Sequence, residues 1–256
     1  TVTYSPLQGD KFIQRVLSPL PLQTIALLFH SGWSIERIFR LCFQRMNHLK
    51  NAPGASGPTP SLAPQFLEFV SAVKYLRALQ VQDAINLSYF EAEGVPQLIL
   101  HINEEDKNRE EAKQFALAVN VEPGKTRYVL TFAPTFNRTD QIRIVTRSLL
   151  GTMFYLSQAV EVSTQDTLRG KVTKTKTSAG DVFDWKKVTG DLLRIRSLPE
   201  KPEENAMIIF YRGTWFYIDD SDLSSKSTFS LLAQIFSLQA GKIKDNAPLL
   251  TLPIGQ

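Results

Sequence analysis

Residues 206–219 read AMIIFYRGTWFYID, and this stretch says most about the fold. Two runs rich in β-branched and aromatic residues flank the pair Arg212-Gly213. Runs of this kind on either side of a two-residue turn predict a β-hairpin. Residues 224–240 follow with apolar side chains at helical spacing, and Gly241 is placed to end that helix. The C-terminal part therefore combines a hairpin with a helix.

The hairpin has two distinct faces, because successive residues of a strand point in opposite directions. Trp215 and Tyr217 share one face, while Phe216 and Ile218 share the other. We expect one pair to pack in the core and the other pair to be covered by the next helix or exposed to a partner. The helix itself is predicted to bury four residues: Phe229, Leu232, Ala233 and Phe236.

Residues 1–80 predict a helical N-terminal region. An apolar stretch at 22–30 follows Pro21, a residue that helix starts accept. Ser34 is a good N-cap for a second helix, whose apolar face continues at helical spacing to Leu49. Four polar residues fall mainly on its opposite side: Arg37, Arg40, Gln44 and Arg45. After a loop rich in proline and glycine, Ser61 is placed to cap another long helix that runs to about residue 79.

Residues 81–256 predict a mixed region. Strands are expected at 85–90, 95–102 and 128–133, with helices at 103–118 and 145–160. The 145–160 helix is apolar nearly all round, which indicates burial. The Thr- and Lys-rich segment 166–178 is expected to form an exposed edge strand or hairpin, and 249–254 a short strand. The whole pattern predicts an α+β protein whose two regions pack as one unit.

Composition supports a folded chain. Of 256 residues, 43% are hydrophobic and 21% charged, which excludes disorder over the whole length. The net charge of +4 comes from Lys and Arg spread along the chain, so we predict no nucleic-acid partner. The single cysteine, Cys42, excludes an internal disulfide and a cysteine-based zinc site, and its apolar neighbours predict burial. No apolar run reaches the ~18–20 residues needed to span a bilayer.

Motifs for catalysis and cofactor binding are missing from the sequence. It contains no Gly-x-Ser-x-Gly elbow, no glycine-rich phosphate loop followed by Lys-Ser or Lys-Thr, and no metal-spaced histidine pair. A Ser-His-Asp set assembled from distant positions stays open, since such sets are spatial. We predict a non-enzyme with no cofactor, no metal site and no catalytic residue.

Three carboxylates at Asp219, Asp220 and Asp222 form the most tempting candidate site. They lie just before the predicted C-terminal helix, where carboxylates cap free N–H groups and favour the positive helix end. Binding of a divalent cation and an interface salt bridge are the alternatives. A hydrolase using these carboxylates would need raised pKa values in a cleft.

The aromatic hairpin has its own alternatives. Core packing is the first, and contact with another protein is the second. A third is a module that binds a small molecule or peptidoglycan by ring stacking. The candidate contact residues are Trp215, Tyr217, Arg212 and, in the proline-rich loop, Pro58.

Several segments resemble a family of uncharacterised bacterial envelope proteins. Four of them are RGTWFYIDD at 212–220, RSLLG at 147–151, FYLS at 154–157 and APGASGPTP at 52–60. Members of this family look like predicted lipoproteins, so the resemblance implies a lipid-accepting cysteine just upstream of Thr1. The chain is also similar to accessory outer-membrane subunits of the Dot/Icm type IV secretion machine.

That resemblance implies a non-catalytic structural subunit on the periplasmic side of the outer membrane. Its partners would be other protein subunits, and its membrane contact would be the lipid anchor. Neighbouring copies arranged in a ring are a further implication.

Overall fold

The structure is a computed structural model that describes residues 9–52, 62–133, 139–203 and 207–241. It is an α+β fold, as predicted. Its helices are α1 (Gly9–Leu17), α2 (Leu22–His30), α3 (Ile35–Cys42), α4 (Leu67–Val81), α5 (Glu110–Ala118), α6 (Leu149–Ser157), α7 (Thr164–Leu168), α8 (Lys186–Thr189) and α9 (Leu223–Gly241).

The strands form two sheets. They are β1 (Phe43–Met46), β2 (Leu49–Lys50), β3 (Ile85–Ala92), β4 (Val95–Ile102), β5 (Arg127–Thr131), β6 (Gln141–Thr146), β7 (Arg196–Leu198), β8 (Met207–Tyr211) and β9 (Thr214–Ile218). The large sheet has the order β2-β1-β6-β5-β4-β3, and the small sheet has the order β7-β9-β8. The β5–β6 pair is parallel, and the other pairs are antiparallel.

One face of the large sheet carries the core. The cross-strand pairs Leu87↔Leu100, Leu98↔Leu130 and Leu130↔Ile142 are all buried, and helices α2 and α4 pack against the sheet. On the other side several exposed polar residues alternate with them: Asn86, His101, Arg127 and Arg143. This alternation is what a sheet covered on one face requires.

The helix that was expected to reach Leu49 ends at Cys42. Phe43 is extended, and β1 pairs with β6, which lies about a hundred residues further along the chain. The backbone N–H of Arg147 donates to the carbonyl of Cys42 at 2.6 Å, which continues this pairing beyond the strand end. Arg40, which was placed on the polar side of this helix, is nevertheless only 2% exposed. The boundary at residue 80 stays a prediction, and the core cluster contains residues from both sides of it.

Strand β6 occupies part of the predicted 145–160 helix. Helix α6 begins only at Leu149, where the Ser148 hydroxyl accepts a hydrogen bond from the N–H of Gly151. Leu150 and Met153 are 43% and 47% exposed, so the expected burial on all sides is wrong for them. The predicted strand or hairpin at 166–178 is reduced to α7 and to isolated bridges of Lys176 with Leu62 and Val182.

The C-terminal hairpin and helix are confirmed as β8, β9 and α9. The buried side of α9 differs from the prediction. Leu231 and Ile235 are inaccessible to solvent, whereas Phe229 and Phe236 are 37% and 45% exposed. The Ser61 cap and the 249–254 strand lie outside the described residues.

Candidate protein-contact surface on the small sheet

The small sheet has β9 at its centre. Register places Phe210 opposite Trp215 and Ile208 opposite Tyr217, so these four side chains share one face, here called the aromatic face. The expected pairing of Trp215 with Tyr217 on one side is thus confirmed. On the opposite side, Ile209 lies across from Phe216.

The aromatic face is packed within itself. The ring centroids of Phe210 and Trp215 are 4.7 Å apart, and their planes are inclined by 43°. The Lys201 ammonium lies 5.8 Å from the Trp215 centroid on the indole. Trp215 and Tyr217 are half-buried, so this face is neither core nor fully open.

The opposite face joins the core only at one end. Ile218 is 3% exposed and belongs to the core cluster, and Phe216 is half-buried. Further out on the same face of β8, Ile209 is 67% exposed and Tyr211 62%, and Phe210 on the aromatic face is 56% exposed. The expected core packing is therefore confirmed for Ile218 but does not extend to β8.

Arg212 lies in the turn of this hairpin. Arg212 and Gly213 have φ angles of 51° and 80°. Positive φ at both central residues matches a type I′ turn, for which Asn-Gly is the favoured pair. Arg212 is exposed, and its guanidinium has no hydrogen bond or ion pair with another described residue. Pro58, the fourth candidate contact residue, lies outside the described ranges.

The three carboxylates near the start of α9 have separate partners. Asp222 accepts hydrogen bonds from the N–H and hydroxyl of Ser225, at 3.0 and 2.7 Å, and so caps the helix as predicted. Asp220 forms an ion pair with Lys226 at 2.7 Å. Asp219 accepts from the Ser221 hydroxyl and N–H, and these bonds lower its pKa below the ordinary value.

These carboxylates do not converge on one point. No group of three acidic, histidine or cysteine side chains able to hold a metal ion occurs among the described residues. The lowered pKa of Asp219 is also opposite to the raised value that a carboxylic general acid needs.

Two grooves meet at Glu161, and one of them borders the small sheet. One, of about 560 Å³, runs between Leu198, Gly213 and Ser163. The other, of about 610 Å³, is lined by Trp185, Arg194 and several lysines. Both share Glu161 and Lys186.

Glu161 is the centre of an ion cluster between the grooves. It pairs with Arg194 at 3.1 Å and Lys186 at 3.3 Å. Partial burial would raise the pKa of Glu161, but hydrogen bonds from Arg194 and Lys186 outweigh burial and lower it. The carboxylate is therefore held ionised. Sequence reasoning missed this cluster, because its members lie on separate segments with no local spacing to link them.

Hydrogen bonds join α9 to the segment that leads into β7 and to α3. The hydroxyls of Ser224 and Thr228 donate to the carbonyls of Asp191 and Leu192, each at 2.6 Å. Arg37 reaches across from α3 and donates to the Ser224 carbonyl at 2.7 Å. Since β9 leads directly into α9, these bonds fix where the small sheet lies.

Arg40 ties the same segment to α3. Its guanidinium donates to both oxygens of Asp191, at 2.6 and 2.7 Å, and to the carbonyl of Val188 at 2.8 Å. Partial burial alone would raise the pKa of Asp191, but the hydrogen bonds and charge of Arg40 lower it below 3.8. The bidentate geometry is the strong form of such a pair.

Cys42 is buried, as predicted, and burial raises the pKa of its thiol to about 12. The thiol is thus protonated and shielded at neutral pH, which makes a nucleophilic role unsupported.

Comparison with models of protein families, with curated proteins and with solved structures finds no match for this chain. Within the described ranges, no helix has both the length and the apolar character needed to cross a bilayer.

Proposed function

We propose that this chain is a non-catalytic structural subunit of a bacterial envelope complex and that the small sheet is its contact surface. The segment resemblance supports a place on the periplasmic side of the outer membrane, with a lipid anchor upstream of Thr1. Within that class, the outer-membrane core of a type IV secretion system is the narrower proposal. The proposed function requires no cofactor.

One observation carries the proposal. The outer strand β8 and the hairpin turn present Ile209, Phe210 and Tyr211 more than half exposed, beside the half-buried Trp215. Ile209 and Tyr211 lie on one face of β8 and Phe210 on the other, and exposed apolar and aromatic side chains of this kind are typical of protein contact sites. Tyr, Trp and Arg are also the residue types enriched among contact hot spots.

The conformation of Arg212 supports the same reading. A long side chain in the left-handed region costs roughly 1–2 kcal/mol, which Asn or Gly at that position would reduce. The guanidinium makes no bond to another described residue that would offset this cost. A role in binding a partner gives a reason for its presence, since strained positions collect at functional sites.

The two alternative functions have less support. A hydrolase centred on Asp219 conflicts with the lowered pKa of that carboxyl. A module that stacks sugar rings on Trp215 requires an open indole face, whereas Phe210 packs against the indole and the Lys201 ammonium lies 5.8 Å from its centroid.

The test is capture of partners from the envelope. The tagged full-length protein is expressed in a bacterium that encodes it, cross-linked in the intact cell, and purified from detergent-solubilised membranes. We expect discrete cross-linked protein species with the wild type and their loss with Arg212→Glu. The matched control is Arg143→Glu, an exposed charge reversal on the large sheet, which should retain them.

The proposal is overturned by cross-linked species that survive Arg212→Glu combined with Trp215→Ser. It is equally overturned by recovery of the wild type as a lone monomer from membranes.

A further inference from the structure

Among the described residues, the outer edge of strand β8 has no strand paired to it. This strand is the last in the order β7-β9-β8. Its five residues, Met207–Tyr211, include no charge and no proline, and the register with β9 has no bulge. Proteins usually protect such an edge with lysine, proline or a bulge, since it offers free backbone groups to another chain.

The hairpin geometry shows which backbone groups are free. Tyr211 and Thr214 flank a two-residue turn and form a hydrogen-bonded pair, and hydrogen-bonded pairs then alternate along the ladder. Met207, Ile209 and Tyr211 therefore turn their N–H and C=O groups toward β9. Ile208 and Phe210 turn theirs outward.

We propose that two copies of this chain pair through the outer edges of β8. This pairing rests on the proposed function of the small sheet as a contact surface, and the partner is a second copy of the chain. The strands run antiparallel about a twofold axis at Ile209. Each Ile208 then exchanges both backbone hydrogen bonds with the Phe210 of the other copy, and the two small sheets join into one six-stranded sheet.

Charge favours this orientation over a parallel one. Glu203 precedes β8 and Arg212 follows it, and both are exposed. An antiparallel pair brings the Arg212 end of each strand beside the Glu203 end of the other. A parallel pair would place like charges together, which is unfavourable. The antiparallel arrangement also satisfies the self-complementarity that a twofold interface requires.

The side chains fit the same arrangement. Both faces of β8 carry exposed apolar groups, so pairing two edges extends an apolar strip on each side of the joined sheet. Ile209, 67% exposed, then lies directly opposite its counterpart in a non-hydrogen-bonded pair, where side chains approach most closely.

A charge-swap experiment tests the pairing and its register on the purified full-length protein. Light scattering and native mass spectrometry should show a dimer for the wild type. Ile209→Lys alone and Ile209→Glu alone should each raise the dissociation constant at least about tenfold, because like charges then face each other across the axis. An equal mixture of the two variants should restore a dimer that contains one copy of each.

A cysteine variant gives an independent readout. Cys42 is buried, so it does not compete for oxidation in the native state. Ile209→Cys should form an intermolecular disulfide under mild oxidation, whereas Leu198→Cys, on strand β7 at the opposite side of the sheet, should not. Circular dichroism confirms that each variant is folded.

Three outcomes would overturn the inference. The first is a charge mixture that stays monomeric while the wild type dimerises, which places the dimer contact elsewhere. The second is a monomeric wild type whose Ile208 and Phe210 amides resist hydrogen exchange, which means that the same chain covers the edge. The third is a wild type that is monomeric alone but is captured in an envelope complex in an Arg212-dependent way. That third outcome leaves the proposed function intact, whereas loss of capture as well defeats both.

Discussion

The guanidinium of Arg147 lies over the ring of Tyr155, with 4.1 Å between its Cζ atom and the ring centroid. Both side chains are closed to solvent, and no carboxylate pairs with Arg147 within the described ranges. Backbone carbonyls take the place of that partner. Arg147 donates to the carbonyls of Arg40, Leu41, Phe43 and Asn51. A single side chain thus supplies hydrogen-bond donors to the backbone carbonyls at the end of α3 and the start of β1.

Arg147→Lys should be strongly destabilising although it keeps the charge. A lysine ammonium cannot reproduce the planar fork that reaches four carbonyls, and unsatisfied buried polar groups are costly. We expect a loss of about 3–5 kcal/mol in the free energy of unfolding, measured by urea denaturation. Arg143→Lys on the exposed face is the control and should change it by less than about 0.5 kcal/mol. Equal effects for the two variants would contradict the role given to Arg147.

Stability should fall in acid through Asp191. Its folded pKa is lowered, so its contribution is fully present above its ordinary pKa of 3.8 and is lost as pH falls through the lower folded value. Urea unfolding at pH values between about 5 and 2 should show this decline. Asp191→Asn should make the free energy of unfolding depend less on pH over this range. At neutral pH the variant should lose about 1–2 kcal/mol of stability, a value reduced because the carboxylate is partly exposed. An unchanged pH slope in Asp191→Asn would exclude the Arg40 pair as its source.

Arg212→Asn should stabilise the protein while weakening partner capture. Asparagine tolerates the positive φ that arginine holds at a cost, so we expect a gain of about 0.5–1 kcal/mol in the free energy of unfolding. The β3–β4 turn gives a matched control, since Glu93 and Gly94 have φ angles of 51° and 77°. Glu93→Asn should give a similar gain and leave capture unchanged. Lost capture in both variants would indicate an indirect effect of stability.

Asp222→Ala should lower stability by about 1 kcal/mol, because the first turn of α9 loses its cap. Asp220→Ala, which removes an exposed pair with Lys226, should have a much smaller effect. Thermal unfolding of the two variants side by side distinguishes them. A larger loss for Asp220→Ala would mean that the cluster serves something other than capping.

The Cys42 thiol should not react with a thiol reagent in the native protein. Its pKa of about 12 and its burial keep it protonated and shielded at mildly alkaline pH. Reaction should become complete in denaturant, and a colorimetric thiol assay measures both states. Rapid modification of the folded protein would show that the surrounding core opens readily.

Local pattern was enough to predict some of this fold. The C-terminal hairpin followed from two β-rich runs around a two-residue turn, and strands β3 and β4 were expected at 85–90 and 95–102. The Ser34 cap is confirmed by its bond from the N–H of Arg37. All three depend on neighbours in sequence.

The misses have a common physical cause, which is pairing between distant segments. Helical spacing continues through Met46, yet β1 forms because β6 supplies a ladder from about a hundred residues away. Arg40 can be buried because it forms an ion pair with Asp191, which is 151 positions away in the sequence. Helix α9 buries the side that carries Leu231 and Ile235, and the hydroxyl of Thr228 on this helix donates to the distant carbonyl of Leu192.

The candidate contact residues were partly predictable. The shared face of Trp215 and Tyr217 followed from strand alternation, and the turn position of Arg212 followed from Gly213. The exposure of β8 could not be predicted, because nothing in the sequence indicates that Ile218 is the residue of this sheet that reaches the core.

The link between β1 and β6 also sets the order of events during synthesis. As the chain emerges from the ribosome or from an export channel, β1 appears roughly a hundred residues before the strand that completes it. Until then Arg147 is also missing, so the carbonyls at the end of α3 stay hydrated and the adjoining apolar surface stays open to chaperones and proteases. A chain cut short before residue 147 should therefore keep the large sheet open and be degraded faster than the whole protein, which a pulse-chase experiment would measure.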